Sequence, residues 1–165
     1  MAKTRNRYIH PIDIEECRRR HPDDKNIRMA YKESPAHQES YKNGMYKHSV
    51  DFVVPEGTQV RAAADGKVIE TKSDSTIHGK TDRFDEFTNY IEIEHRNGEY
   101  SWYEHLKKNG VLVKPGERVK RGQVIGYSGE TGWIAHLGPH LHFMVGKGET
   151  DKDYQTLQIV WRKRR

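Results

Sequence analysis

The chain has 165 residues, enough for one domain with one core, and only 33% of them are hydrophobic, with a mean hydropathy of −1.02. The 14 Gly, 9 Tyr, 4 Phe and 3 Trp exclude an aromatic-poor disordered chain. A net charge of +5, with basic runs in "AKTRNR" and "WRKRR", suits a polyanionic partner such as nucleic acid, wall polymer or acidic membrane, or else only a solvated surface. Cys17 is the single cysteine, so an intramolecular disulfide and a cysteine-built zinc site are both excluded and any metal must be held by His and carboxylate. No apolar signal-peptide core and no bilayer-length apolar window appears, which reads as cytoplasmic at synthesis, with release to act on a cell wall left open.

Residues 1–35 are charged and weakly patterned, and "HPIDIEECRRRH" predicts a short helix with Pro11 in its first turn and acidic residues after it. From Ser49 onward the pattern changes to short alternating or apolar runs separated by turn residues: "SVDFVV", "PEGT", "QVRAAA", "DG", "KVIETKS". "SDSTIHGKTDRFDEFTN" reads as a long polar loop. "YIEIEH" and "YSWYEHL" flank Asn97-Gly98, which predicts a hairpin with a type I′ turn. "VLVKPGERVKRGQVIGYSG" and "HLHFMVG" continue the strand pattern. The expected fold is mainly β, an antiparallel sheet or barrel-sandwich domain, with an N-terminal extension at 1–35, the main domain at 36–150 and a basic tail at 151–165. "GQVIGYSGETG" lacks the Lys-Ser/Thr of a P-loop, so its glycines are turn and bulge positions.

"GPHLHFMV" carries the sharpest chemical signal, because alternation along a strand points His140 and His142 the same way, close enough to serve one site. Asp51 sits inside an apolar run, where a buried carboxylate needs either a cation or a basic side chain. His105 follows at a strand end in "SWYEHL". An Asp, a His-x-His pair and a further His meet the needs of zinc hydrolysis, provided the fold brings them together.

In order along the chain, "SVDFVVPEGTQVRAAADGKVI", "NYIEIEHRNGEYSWYEHL", "GVLVKPGERVKRGQVIGYSGETGW" and "GPHLHFMV" resemble the lysostaphin/LytM-type zinc endopeptidases over about residues 37–146. The resemblance implies the duplicated-hybrid-motif β fold and hydrolysis of peptidoglycan cross-links or stem peptides with one Zn2+. It implies Asp51 and His142 as zinc ligands and His105 and His140 as catalytic assistants. Many members place the first ligand histidine four residues before the aspartate, where this chain has Lys47. His48 falls on the opposite face from Asp51 by strand parity unless a bulge intervenes, so His37, returning from a separate segment, is the expected third ligand, with His48, His10, His21 or no third protein ligand as alternatives. The resemblance also admits a metal-free module that binds or activates a wall hydrolase. A basic nucleic-acid-binding barrel is the remaining rival, but no RNA-binding motif supports it, so no nucleic-acid partner is expected. Peptidoglycan or another peptide is the expected substrate of a monomer without a membrane span, its scissile bond set by loops such as 73–88.

Overall fold

The computed structural model describes residues 2–148 and 154–163. The predicted domain boundary at 150 and part of the tail placed at 151–165 lie outside the described residues. Helix α1 (Ile14–Arg20) starts after Asp13, whose carboxylate accepts the Glu16 N–H at 3.1 Å. Pro11 therefore stands before the helix rather than in its first turn. Glu15 and Glu16 in the first turn and Arg18, Arg19 and Arg20 in the last complement the helix dipole. Ile14 and Cys17, three residues apart, share the buried face.

The strands are β1 (Arg28–Ala30), β2 (Val50–Val53), β3 (Gln59–Arg61), β4 (Gly66–Lys72), β5 (His78–Gly79), β6 (Tyr90–His95) and β7 (Glu99–Glu104). They continue as β8 (Leu106–Val111), β9 (Arg118–Val119), β10 (Val124–Ser128), β11 (Gly132–Trp133), β12 (His140–Lys147) and β13 (Gln155–Thr156). The fold is mainly β. The large sheet runs β1-β2-β12-β7-β6-β4-β9, with β13 also on β12, and all its pairs are antiparallel. Strands β3-β10-β8 form a second antiparallel sheet. The polar segment predicted as loop contains β5, which pairs parallel with β11, and a 3-10 turn at Asp82–Phe87.

The β6–β7 hairpin carries Asn97 at φ 66° and Gly98 at φ 62°, the left-handed conformations that Asn and Gly tolerate best. Its loop is one residue longer than a two-residue turn, because His95 pairs with Glu99. The N-terminal segment is tied to this hairpin by Glu99. Its fully buried carboxylate accepts the backbone N–H groups of Arg5 and Asn6, the Asn6 side-chain amide and the Tyr8 hydroxyl. The chain ends also meet, through isolated bridges of Lys3 with Gln158 and Tyr8 with Trp161.

Alternation divides the large sheet into two unlike faces. Phe52, Ile91, Ile93, Tyr103, Leu141, Phe143 and Val145 enter the core with Val60, Leu106 and Ile125 from the second sheet. Burying a side chain the size of Phe143 stabilises by about 1.5–3 kcal/mol, so this face sets the strand register. The opposite face then carries Asp51, Tyr90, Trp102, Glu104, His140 and His142. Register pairs place Tyr90, Glu104, His142 and Asp51 in one row across β6, β7, β12 and β2. The segment between β1 and β2, with 3-10 turns at Pro35–His37 and Lys42–Gly44, covers part of this second face.

Candidate metal centre

Asp51 is 0% exposed in β2, directly opposite His142. Its Oδ1 lies 2.9 Å from His142 Nδ1, while its Oδ2 has no hydrogen-bond partner among the described residues. A carboxylate buried in this way is short of positive charge, and burial pushes its pKa up, partly offset by His140 and His37.

His37 closes the group from the covering segment. Ser34 caps its 3-10 turn, accepting the Ala36 N–H at 3.3 Å, and Pro35 fixes the first backbone angle. The His37 Nδ1–H donates to the Tyr31 carbonyl at 3.0 Å, which turns Nε2 inward as a lone pair. That Nε2 lies 3.2 Å from His142 Nδ1 and 3.5 Å from Asp51 Oδ2. His48 stays outside, ahead of β2, with its backbone N–H on the Thr156 hydroxyl. His10 packs instead against Phe52 and Trp161, and His21 caps the C-terminus of α1.

His140 and His105 stand beside the three. His140 donates Nδ1–H to the Gly138 carbonyl at 2.8 Å and holds Nε2 3.8 Å from Asp51 Oδ1. His105 donates Nδ1–H to the Thr131 carbonyl at 2.7 Å, and its ring centroid is 4.5 Å from that of His140. Each ring thus offers a basic Nε2. Burial pushes His105 down to about 3, with His142 adding to the effect, and burial and then His105 push His140 down to about 3, so both are neutral imidazoles at physiological pH. Simple alternation would send His105 away from this face. Its φ of 65° turns the chain out of β7 and redirects the ring, a left-handed conformation uncommon for a residue with a side chain. Asn89 and Thr131 hold that turn: the Leu106 carbonyl accepts from Asn89 Nδ2 at 3.2 Å and from the Thr131 hydroxyl at 2.9 Å.

The family model for peptidase family M23 matches residues 45–154. The chain belongs to peptidase family M23. Among curated M23 relatives, it is 39% identical over 109 residues to the peptidoglycan DD-endopeptidase ShyC of Vibrio cholerae, covering 66% of this chain and 22% of the relative. It is 41% identical over 102 residues to the glycyl-glycine endopeptidase ALE-1 of Staphylococcus capitis, covering 61% and 25%. The chain thus spans about a quarter of the length of these relatives. Among solved structures, the catalytic domain of the antimicrobial peptidase lysostaphin from Staphylococcus simulans superposes with a TM-score of 0.56 at 31% identity, over 79% of this chain and 89% of that one. Asp51, His105, His140 and His142 fall inside the M23 match, and His37 lies upstream of it.

M23 peptidases depend on zinc, and the donor set fits that ion. One ligand atom each from His37, Asp51 and His142 lies within 4.8 Å of the others. Two atoms at zinc's bonding distance on a tetrahedron are about 3.3 Å apart; His142 Nδ1 lies 3.2 Å from His37 Nε2 and 2.9 Å from Asp51 Oδ1, and the other carboxylate oxygen, Oδ2, lies 3.5 Å from His37 Nε2. Two imidazoles and one carboxylate leave the fourth position open, as in catalytic sites.

A cleft of about 540 Å³ opens from His140 and His142 of this M23 domain, with Tyr41 and Trp133 among its walls. Sequence reasoning passed over one residue of the cleft, Glu104, and two behind His105, Asn89 and Thr131. Glu104 follows Trp102 by two along β7, so alternation alone placed it on the face of His142, and burial, then the Asp85 and Asp51 carboxylates, push it up to about 8. Asn89 and Thr131 left no comparable signal, since single polar residues in turns are common.

Proposed function

We propose that this domain is a zinc-dependent endopeptidase that hydrolyses peptide bonds of peptidoglycan, with His37, Asp51 and His142 as metal ligands and His105 and His140 as catalytic bases. The observation that carries this is the buried His37–Asp51–His142 group beside two neutral imidazoles at the end of an open cleft, in an M23 domain. The names of its relatives, a DD-endopeptidase and a glycyl-glycine endopeptidase, support peptidoglycan as the substrate class. All five side chains come from one chain, so the site needs no second copy. No helix among the described residues is long and apolar enough to cross a membrane.

Zinc held there supplies a Lewis acid for the scissile carbonyl and lowers the pKa of a bound water towards neutrality. The protein's own groups do the rest. Asp51 offsets the ion's charge inside the sheet, and the Tyr31 carbonyl fixes His37 in the tautomer that offers Nε2. The Gly138 and Thr131 carbonyls hold His140 and His105 in the same way, each with an Nε2 lone pair free. Those lone pairs take a proton from the attacking water, and the resulting imidazolium returns it to the leaving amine.

Zinc content and peptidoglycan hydrolysis of three proteins test the assignment. The natural chain and H48A should retain about one zinc per chain, while H37A should lose it along with activity. An H37A protein with stoichiometric zinc and undiminished hydrolysis would remove His37 from the ligand set.

A further inference from the structure

The cleft wall next to the proposed metal ligands has a composition that the hydrolytic machinery does not use. Glu104 stands one strand from His142 on the same face, and directly opposed residues bring their side chains within reach of one another. Its other cross-strand neighbour is Tyr90, and Trp102 lies two residues back on the same face. The Tyr90 and Trp102 ring centroids are 5.4 Å apart, and Tyr154 meets Trp102 edge-on at 6.5 Å. Burial and the nearby acids favour the protonated form of Glu104 while no cation among the described residues pairs with it; an ammonium ion favours the carboxylate, and a carboxylate among electron-rich rings holds that ion through charge and through the negative faces of the rings.

Three further observations point to a ligand. Among the described residues no basic side chain lies within ion-pair distance of Glu104, on which Lys42 acts only from further away. Thr88, 7% exposed and lining the cleft, has a hydroxyl without a partner among the described residues, as does the buried Trp102 indole N–H. The chain's own Lys42 ammonium lies 5.3 Å from the Tyr41 ring and 5.6 Å from the Tyr46 ring, so this aromatic lining already accepts a primary ammonium. Three acids, Asp85, Glu86 and Glu104, line the cleft against one lysine, Lys72, in a chain of net charge +5.

We propose that Glu104, flanked by Tyr90 and Trp102, is a specificity-determining residue that takes a primary ammonium group of the peptide substrate close to the scissile bond. This rests on the endopeptidase function proposed above. A free amino group beside the bond is then what marks a good substrate.

The test uses the zinc-loaded protein and purified peptidoglycan in two forms, untreated and with its free amino groups acetylated by acetic anhydride. The natural chain should release soluble fragments from untreated material about tenfold faster. E104Q, still holding about one zinc per chain, should bring that ratio to within about twofold. Equal rates for the natural chain on both forms, or an E104Q protein that keeps the preference, overturns the proposal. No release from either form overturns the hydrolytic function instead, and a binding measurement then decides the subsite. Chelator-treated protein should show quenching of its tryptophan fluorescence by untreated soluble fragments at about tenfold lower concentration than by acetylated ones. Equal concentrations there overturn the ammonium subsite independently of catalysis.

Discussion

Asn89→Ala tests whether the left-handed turn at His105 is held by side-chain hydrogen bonds. Asn89 is 0% exposed, and its amide makes three bonds: Nδ2 donates to the Ser75 carbonyl at 3.0 Å and the Leu106 carbonyl at 3.2 Å, while Oδ1 accepts the Ser75 N–H at 3.0 Å. Each such bond contributes about 1 kcal/mol net, so truncation costs about 3 kcal/mol, more if Ser75 is left unsatisfied. The Leu106 carbonyl keeps Thr131 as a donor, which limits the loss there. Against the usual total of about 5–15 kcal/mol this is a large fraction. Urea unfolding of chelator-treated protein, followed by tryptophan fluorescence, reads the stability directly. Hydrolysis by zinc-loaded protein, at a temperature where the variant stays folded, should fall about 10²-fold, because an imidazole displaced by an ångström loses its alignment. A stability change below about 1 kcal/mol, or unchanged hydrolysis, would refute the reasoning.

Glu99→Gln places an amide N–H2 against donors of the N-terminal segment and should cost about 3 kcal/mol in urea unfolding, since charge-assisted bonds are the strong ones; a loss below about 1 kcal/mol would show that the segment is held elsewhere. Gly129→Ala puts a Cβ 2.6 Å from the Lys107 nitrogen and 2.7 Å from its Cα. It should destabilise by about 1–3 kcal/mol and depress hydrolysis, because Gly129 also accepts the His140 N–H at 3.2 Å; wild-type thermal stability would refute the close approach. His95 is buried, donates Nδ1–H to the Asp65 carbonyl at 2.8 Å, and accepts from Ser101 at Nε2 at 2.7 Å. Burial holds its pKa below the ordinary value, so the unfolded chain protonates first: the stability it contributes is full above about pH 6.5 and is lost as pH falls below that. The slope of unfolding free energy between about pH 6.5 and 5 should be shallower in H95N, and an identical slope would exclude His95 from the acid response.

The strands were legible because one face of each is buried, which writes period-two alternation into "YIEIEH", "YSWYEH" and "HLHFMV". The same alternation put His140 and His142 on one face. Asp51 was legible as a charge inside an apolar run. His37 was harder, because the segment that carries it folds as 3-10 turns with no period, so distance along the chain does not fix its direction. Parity disfavours His48 without excluding it, and the structure seats that residue's backbone on Thr156, away from the cluster. The ring of His105 turns on a single positive φ, a tertiary outcome enforced by Asn89 and Thr131 from other segments. The β5–β11 pairing joins two-residue strands far apart in sequence, too short for any local pattern to declare.

The two unlike faces of the large sheet have an evolutionary consequence. Phe143 and Tyr103 answer to the packing of the interior, while their immediate neighbours His142, Glu104 and Trp102 answer to the cleft. Selection can therefore rewrite what the cleft accepts by changing alternate letters of β7, and the interior imposes little veto on the outcome. A lineage can change its diet without having to learn to fold again.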